Sequence, residues 1–402
     1  MKLEGRTVVL GVTGGIAAYK APEVVRALKA AGARVRVVLT AAAREFTTPL
    51  ALQAVSGEPV GTDLFDLTQE SQIGHVALAD EADAVLIAPA TANLVAKAAR
   101  GIADDLLTTV LLATRAPVVL APAMNVHMLQ NPAVQENLRA LGSRGFRVVE
   151  PDVGVLACGY EGRGRMPDPP VLVEEVKAAL APDDLSGERV LVTAGPTREF
   201  LDPVRFLSNR SSGKMGFEIA RAARRRGAEV VLVAGPTALD APRGVRTVDV
   251  VSADEMAAAV RANLADCTVV VAAAAVADWR PVARAGTKPA KTRGPSAIEV
   301  ESTVDVLGTL VRPRPDTIVV GFAAETHDVD EHARGKLVRK DLDFVVANDV
   351  TAPGAGFDVD TNVVSILDGA GAERLPLLPK EEVAEAILDR VVRLRASGLQ
   401  RT

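Results

Sequence analysis

The chain has 402 residues, of which 48% are hydrophobic and 24% are charged, and its formal net charge is -5. This length and composition predict two or three well-packed globular domains. The basic residues are dispersed, so the sequence gives no indication of a nucleic-acid-binding surface. Uncharged runs such as Cys267–Ala277 are far shorter than the ~20 residues of a membrane span, so we expect no membrane segment.

The chain has two cysteines, Cys158 and Cys267, which are far apart in sequence. They form neither a disulfide framework nor a metal-ligand spacing, which is typical of a reducing compartment, and we predict a cytoplasmic protein. The basic start and apolar residues 7–18 are similar to a signal peptide. Because that run contains a glycine turn and fits the first strand of a domain, we expect the N-terminus to be mature.

Several predicted strands of the first half end in small or polar residues. Residues 8–12, 35–39, 84–88 and 118–121 are apolar runs that alternate with helical patterns, which predicts a flavodoxin-like domain with a doubly wound, mostly parallel sheet of the α/β class. Ligands of such sheets bind beyond the carboxyl ends of the strands. The residues predicted to face this crevice are Gly14, Gly15, Ile16, Thr40, Thr91, Asn93, Met124 and Asn125.

The crevice is predicted to bind a mononucleotide with a terminal phosphate, such as FMN. A glycine turn before a helix directs backbone N–H groups toward a phosphate. A dinucleotide site would need GxGxxG and an acidic residue after the second strand, but here the glycines have a different spacing and that strand ends at Thr40.

Two side chains offer chemistry near this crevice. His75 is either a buried structural histidine or, if it faces the crevice, a proton shuttle with an ordinary pKa of ~6.5. Asn125 can orient a carboxylate through hydrogen bonds.

Residues 154–166 contain four glycines, two arginines and Cys158, a mixture that we do not expect inside a helix or strand. Glycines allow close approach to a ligand and arginines suit phosphate or carboxylate. The segment is therefore predicted to be either a flap that carries a thiol over an anion or a surface loop.

Gly14–Ala17, His75, Pro122–Asn125 and the Cys158 flap resemble the flavin-dependent cysteine decarboxylases of the phosphopantothenoylcysteine type. The resemblance implies that FMN oxidises the thiol-bearing carbon, so that the resulting thioaldehyde is an electron sink for CO2 loss. It also implies that His75 is the acid–base group, Asn125 holds the carboxylate and Cys158 protonates the enethiol.

Residues 181–187 form a polar break with a proline and separate the predicted domains 1–180 and 188–402. The strand and helix pattern then restarts, which predicts a second, Rossmann-like α/β domain. An irregular stretch is predicted up to Asn209, followed by a helix that opens at 211–216. The further predicted strands are 189–193, 230–234, 268–275, 317–323 and 344–347.

The second half resembles the phosphopantothenate-cysteine ligases, through Asp202–Phe206, Asn209, Ala274–Asp278, Lys288, Gly321–Thr326, Lys336 and Lys340. The resemblance implies that Arg205 and Asn209 act on an acyl-cytidylate. The residues that it implies for CTP binding are Ala274, Asp278, Lys288, Val304, Asp305, Val306, Leu307, Phe322, Lys336 and Lys340.

A ligase that follows a decarboxylase resembles the bacterial bifunctional enzymes of coenzyme A synthesis, which use CTP. The resemblance implies that cysteine is joined to 4'-phosphopantothenate and that the product, phosphopantothenoylcysteine, is decarboxylated to 4'-phosphopantetheine. Lysines and Mg2+ would neutralise the triphosphate, with metal ligands left open. It further implies a homo-oligomer, in which decarboxylase trimers and ligase dimers combine into a closed dodecamer.

Two other classes of protein are considered. A nicotinamide-dependent oxidoreductase is disfavoured because no acidic residue follows Thr40 or Ala234. A non-catalytic FMN-binding regulatory protein is disfavoured by the presence of His75, Asn125 and Cys158. We assign no chemistry to the loop 354–358 or to the charged helix 380–394, and we expect Cys267 to be a core residue.

Overall fold

The computed structural model describes residues 2–65, 74–155, 159–288, 297–325, 329–349 and 354–398. The chain divides into two compact units, Met1–Ala181 and Pro182–Thr402. Each unit is built around a wholly or mostly parallel sheet, which confirms the predicted α/β class. Leu185, within the predicted linker, is fully buried in the core of the second unit.

The first unit contains a six-stranded parallel sheet. Its strands are β1 (Thr7–Val12), β2 (Arg34–Leu39), β3 (Val60–Gly61), β4 (Ala84–Ala90), β5 (Val118–Pro122) and β6 (Arg147–Val148). They are arranged in the order β3-β2-β1-β4-β5-β6. Because strand order changes direction between β1 and β4, a crevice is expected at their carboxyl ends.

Helices connect these strands, and several begin with a polar cap or a proline, as expected for helix starts. Thr91 accepts a hydrogen bond from the Leu94 N–H (3.5 Å), and Asp105 accepts one from the Thr108 N–H (2.8 Å). The α-helices are Ala21–Ala30, Pro49–Ser56, His75–Glu81, Ala92–Arg100, Leu106–Ala113, Val126–Gln130, Pro132–Ser143 and Pro169–Leu180, and short 3-10 helices cover Ile16–Lys20 and Ala41–Glu45.

The glycine-rich segment forms an antiparallel hairpin of β7 (Asp152–Val155) and β8 (Glu161–Arg165). The expectation that this mixture would not lie inside a strand is therefore wrong, since a largely exposed two-stranded ribbon needs no continuous apolar face. Glycine at position 162 also allows close packing, because a Cβ there would lie 3.1 Å from Cγ2 of Val126. Cys158 lies between the two strands, outside the described residues.

The second unit has an eight-stranded sheet in the order β13-β12-β9-β14-β17-β18-β20-β21, in which β20 and β21 are antiparallel to their neighbours. The strands of this unit are β9 (Arg189–Ala194), β10 (Arg198–Phe200), β11 (Phe206–Ser208), β12 (Glu229–Ala234), β13 (Arg246–Asp249), β14 (Val269–Ala272), β15 (Trp279–Pro281), β16 (Val300–Ser302), β17 (Ile318–Glu325), β18 (Phe344–Asp349), β19 (Thr361–Asn362), β20 (Val364–Asp368), β21 (Gly371–Arg374) and β22 (Leu378–Pro379).

Two expectations for this unit are corrected. The stretch predicted to be irregular before Asn209 contains the hairpin of β10 and β11, whose strands are too short for a periodic sequence pattern. The strand predicted at 268–275 ends at Ala272, and beyond it Ala275 makes only an isolated parallel bridge with Pro196.

Four helices, Lys214–Arg225, Ala253–Asn263, Val329–Arg339 and Lys380–Ala396, complete the unit. Cys267 is buried, as predicted, and burial raises the pKa of its thiol to about 11. Within the described ranges, no helix is both long enough and apolar enough to cross a membrane.

Arg226, which is nearly completely buried, joins three segments of the second unit. Its Nε and Nη2 donate to the two carboxylate oxygens of Asp184 (2.8 and 2.7 Å), and its Nη1 donates to Asp389 (2.7 Å). Asp184 lies in the segment before β9, whereas Asp389 lies on the last helix. Arg226 therefore fastens the last helix to the start of the unit.

We expect Arg226→Met to lower the free energy of unfolding of the second unit by ~2 kcal/mol, because it removes hydrogen bonds between a buried guanidinium and partly exposed carboxylates. The measurement is urea unfolding followed by fluorescence of Trp279, the single tryptophan of the chain. The matched control is Arg314→Met, whose ion pair with Asp316 is about half exposed and should contribute less than ~1 kcal/mol. Equal losses of unfolding free energy in Arg226→Met and Arg314→Met would contradict the structural role of Arg226.

The interaction between Arg226 and Asp184 also predicts that the stability of the second unit depends on pH. The hydrogen bond from Arg226 lowers the pKa of Asp184 below its ordinary value of 3.8. A carboxyl with a lowered folded-state pKa contributes stability above its unfolded pKa, and that contribution is lost as pH falls through the folded pKa. The difference in free energy of unfolding between the wild type and Arg226→Met should persist from neutral pH to about pH 4 and should shrink below pH 4.

Candidate functional sites

A cavity of about 1000 Å³ lies at the carboxyl ends of β1, β2, β4 and β5 in the first unit. The residues predicted to bind a cofactor all line it, and Asn125 lines it with them. These residues are Gly14, Gly15, Ile16, Thr40, Thr91, Asn93 and Met124. Four separate strand ends therefore contribute to one site.

The turns around this cavity are closely packed. The Thr13 hydroxyl donates to the Pro89 carbonyl oxygen (2.7 Å) and accepts from the Thr91 N–H (3.0 Å), which joins the turn after β1 to the end of β4. A Cβ at Gly14 would lie 2.4 Å from Cβ of Ala42. Only glycine therefore allows the turn after β1 to lie against the segment after β2.

Large apolar side chains that are exposed in the chain surround the mouth of the cavity: Ile16, Tyr19, Met128 and Val155. A cavity lined by both polar turns and apolar side chains suits a ligand with an anionic group and a flat apolar ring. Tyr19 and Met128 were not predicted as site residues, although Tyr19 follows the glycine turn closely enough to have been identified.

The basic residue Lys20 was also missed, whereas Arg165 is one of the two arginines of residues 154–166 that were predicted to suit phosphate or carboxylate. Lys20 and Arg165 line the cavity and both contact the carboxylate of Asp168, at 3.1 and 3.4 Å. They place positive charge beside the apolar mouth, where an anionic part of a substrate could bind.

Of the three predicted chemical groups, the structure describes Asn125 and His75, and only Asn125 lines the cavity. Asn125 caps the helix Val126–Gln130 by accepting from the His127 N–H (2.8 Å) and faces the cavity. His75 begins the helix His75–Glu81 and is not among the lining residues; its Nδ1 is buried and has no hydrogen-bond partner among the described residues. Cys158 lies outside those residues, so the roles of His75 and Cys158 stay predictions.

A second cavity, of about 1060 Å³, lies in the second unit at the carboxyl ends of β9, β14, β17 and β18. Most of the residues implied for ligation line it: Asn209, Ala274, Asp278, Val304, Asp305, Val306, Leu307, Phe322, Lys336 and Lys340. Arg205 and Lys288 do not. Arg205 donates to Asp202 (2.6 Å) beside β11, and Lys288 is exposed.

Three polar contacts define the interior of this cavity. Asn209 Nδ2 donates to the Val276 carbonyl oxygen (2.8 Å), and Lys336 Nζ donates to the Phe322 carbonyl oxygen (2.5 Å). Lys340 forms an ion pair with Asp305. These contacts therefore place an amide and two lysines of one helical segment at the cavity.

Sequence reasoning missed Asn348 at the end of β18. Its side chain is 8% exposed and lines the cavity, and its Oδ1 has no hydrogen-bond partner in the part of the chain that the structure describes. A buried acceptor of this kind requires a donor, which a ligand N–H can provide. The rule used for the other strand ends could have identified it, because it directly follows the predicted strand 344–347.

The start of the helix Lys214–Arg225 also lines the cavity, from Ser211 to Gly216. Gly213 precedes the helix with φ of 77°, a conformation that favours glycine. The first N–H groups of a helix lack partners within that helix and attract anions. The strand, turn and helix order was visible in the sequence, although no Walker spacing accompanies it.

Part of the wall comes from segments to which we assigned no chemistry. Gly356, Phe357 and Lys380 line the cavity with Asn362, so these segments contribute to the site. Among the described residues, no group of three or more His, Cys, Asp or Glu side chains is placed to hold a metal ion.

Comparison with known proteins agrees with this division of the chain. Residues 1–181 match the Flavoprotein family, and residues 185–394 match the DNA/pantothenate metabolism flavoprotein C-terminal domain. Over 391 residues the chain is 49% identical to the coenzyme A biosynthesis bifunctional protein CoaBC of Vibrio cholerae, covering 96% of this chain and 98% of that protein.

The protein of the same name from Escherichia coli is 49% identical over 399 residues, which cover 98% of each chain. A crystal structure of the C-terminal domain of a CoaBC protein covers 54% of this chain and 99% of its own, with 44% identity and a TM-score of 0.46. The chain belongs to the family of coenzyme A biosynthesis bifunctional proteins CoaBC, and it is an enzyme with a flavoprotein decarboxylase domain followed by a ligase domain.

Proposed function

We propose that residues 1–180 form an FMN-dependent phosphopantothenoylcysteine decarboxylase and residues 188–402 a CTP-dependent phosphopantothenate-cysteine ligase. The observation that carries the proposal is the convergence of site residues from separate strand ends on one cavity in each unit. Membership of the CoaBC family supports the pairing of the two reactions. We further propose that the protein is a homo-oligomer that acts in the cytoplasm.

The residues of the first cavity fit FMN. The close-packed turn at Gly14 and Gly15, with the hydroxyls of Thr40 and Thr91, would hold the phosphate, and the apolar side chains at the mouth would contact the ring. When bound, FMN supplies the oxidation of the thiol-bearing carbon and, in its reduced form, would return the hydride that converts the enethiol to the thiol product. The carboxylate can then leave as CO2, because a C=S group beta to it accepts the electron pair.

The chain's own residues would orient the substrate and move protons. Asn125 would hold the substrate carboxylate through hydrogen bonds, and His75 would be the acid–base group. Cys158 Sγ would give a proton to the enethiol that remains after CO2 is lost. The hairpin of β7 and β8 would exclude water from these reactive species, because Val155, Gly164 and Arg165 line the cavity.

In the second cavity, a carboxylate oxygen of 4'-phosphopantothenate would attack the α-phosphorus of CTP and release pyrophosphate. The cysteine amine would then attack the acyl carbon of the acyl-cytidylate and release CMP. Lys336 and Lys340 would offset the charge of the triphosphate, and Asn209 would contact the acyl-cytidylate. Asn348 Oδ1 offers an acceptor for an N–H group of a ligand.

Mg2+ would enter as the complex with CTP, because Mg2+ in such sites is held largely by phosphate oxygens and water. Asp278 lines the cavity, while Asp305 is paired with Lys340. We assign no step to a metal held by protein side chains alone. Arg205 and Lys288 stay proposed ligase residues on the family resemblance only.

We expect the purified protein to be yellow, with the absorption spectrum of a bound flavin. Gly14→Ala should remove the flavin, because the new Cβ would lie within 2.4 Å of Ala42, and ligation should continue. Gly142→Ala is the matched control, since nothing lies within 4 Å of a Cβ at that position. Tightly bound NAD, or no chromophore after reconstitution of the wild type with FMN, would overturn the flavin assignment.

A further inference from the structure

Lys380 is a buried lysine enclosed by the main chain of one loop. Its Nζ donates to the carbonyl oxygens of Gly356 (2.9 Å) and Phe357 (3.4 Å), and also to that of Val359. Its backbone N–H donates to the carbonyl oxygen of Asp360 (2.8 Å). A lysine ammonium has three protons, so the loop carbonyls provide an acceptor for each of them.

This position is unfavourable for a lysine on general grounds. Lys380 is the first residue of the helix Lys380–Ala396, where the helix dipole disfavours a positive charge. The side chain is 4% exposed, and burial lowers the pKa of its ammonium. A neutral or acidic side chain in this first turn would avoid that cost, so helix formation alone does not explain a lysine here.

The opposite side of the loop contacts the start of another helix. The Ser212 hydroxyl donates to the same Phe357 carbonyl oxygen that Lys380 contacts. Lys214 Nζ donates to the Asp358 carbonyl oxygen (2.9 Å) and to the Asp360 carboxylate (2.7 Å). The loop therefore connects Lys380 to Ser212 and Lys214, and all three side chains belong to residues that line the ligase cavity.

We propose that Lys380 is a positioning residue for ligation. Its ammonium takes the place that a bound cation would have among main-chain carbonyl oxygens, and it thereby fixes the loop Gly354–Asp360. The loop in turn places Ser212 and Lys214 in the nucleotide cavity. The inference rests on the ligase function proposed above. It assigns Lys380 no contact with a reacting atom.

The test compares Lys380→Ala with Lys380→Met. Alanine removes three carbons and the ammonium group, which is the size of n-propylammonium, whereas methionine fills the same space with an uncharged chain. Both variants should raise KM for CTP at least tenfold, with a smaller change in kcat. Added n-propylammonium should lower KM of Lys380→Ala toward the wild-type value and leave Lys380→Met unchanged.

Arg393→Ala is the control for loss of a cation from the same helix, because Arg393 is largely exposed; its KM for CTP should equal that of the wild type. An unchanged KM in Lys380→Ala, or equal effects of n-propylammonium on both variants, would overturn the inference. If Lys380→Ala does not fold, Lys380→Gln replaces it. A wild-type KM for CTP in Lys380→Gln would also overturn the inference.

Amide hydrogen exchange provides a reading that needs no turnover. Exchange in residues 354–362 should become faster in both lysine variants, and n-propylammonium should restore slow exchange only in Lys380→Ala. Unchanged exchange contradicts the role of Lys380 even if ligation occurs. If the wild-type protein does not use CTP but n-propylammonium still restores slow exchange in Lys380→Ala, the role of Lys380 is supported and the ligase proposal is rejected.

Discussion

Cys158→Ser is expected to stop the decarboxylase after loss of CO2, so that an oxidised enethiol accumulates and 4'-phosphopantetheine does not form. Oxidation of the substrate and loss of CO2 do not require the thiol, but protonation of the enethiol does. A thiol has a pKa of ~8.5, and a serine hydroxyl is a far weaker acid. The measurement is mass spectrometry of the products formed from phosphopantothenoylcysteine.

Cys267→Ser is the matched control for this experiment. Cys267 is the other cysteine of the chain and is buried in the second unit, where its Sγ donates to the Asn263 carbonyl oxygen (3.0 Å). This variant should form 4'-phosphopantetheine at the wild-type rate. Normal product from Cys158→Ser would instead show that Cys158 has no part in the proton transfer.

The position of both cavities was predictable because parallel strands place their carboxyl ends at one edge of a sheet. That rule placed Thr40, Thr91 and Asn125 at the first cavity, and the structure adds Asn348 to the second by the same logic. Each of these residues lies at the end of a strand or within three residues after it, so its position is specified locally in the sequence.

What the sequence pattern missed depends on contacts between distant segments. Lys380 reaches the ligase cavity because β20 returns antiparallel beside β18 and the following helix starts beside the loop at Gly356. No local periodicity specifies such a return. The hairpin of β10 and β11 was missed for a different reason, since each strand has three residues and shows no alternation that can be recognised.

Arg205 and Lys288 show the limit of carrying roles over by resemblance. Both belong to segments that resemble the ligases, yet neither lines the cavity, and Arg205 is held by Asp202. Lys336, in contrast, lies on the helix Val329–Arg339 and does line the cavity. The ligase assignment is therefore tested most directly on that helix.

Lys336→Gln is expected to lower pyrophosphate release from CTP by roughly 10²–10³-fold, the usual effect of removing one group that stabilises developing charge. Lys336 Nζ lies in the cavity, 2.5 Å from the Phe322 carbonyl oxygen, and glutamine is shorter and uncharged. Arg334→Gln is the matched control, because Arg334 is an exposed cation on the same helix and should leave the rate unchanged. Decarboxylation of phosphopantothenoylcysteine should continue in both variants, since its cavity belongs to the other compact unit. Wild-type ligation by Lys336→Gln, or ATP replacing CTP without loss of rate, would reject the nucleotide assignment of this cavity.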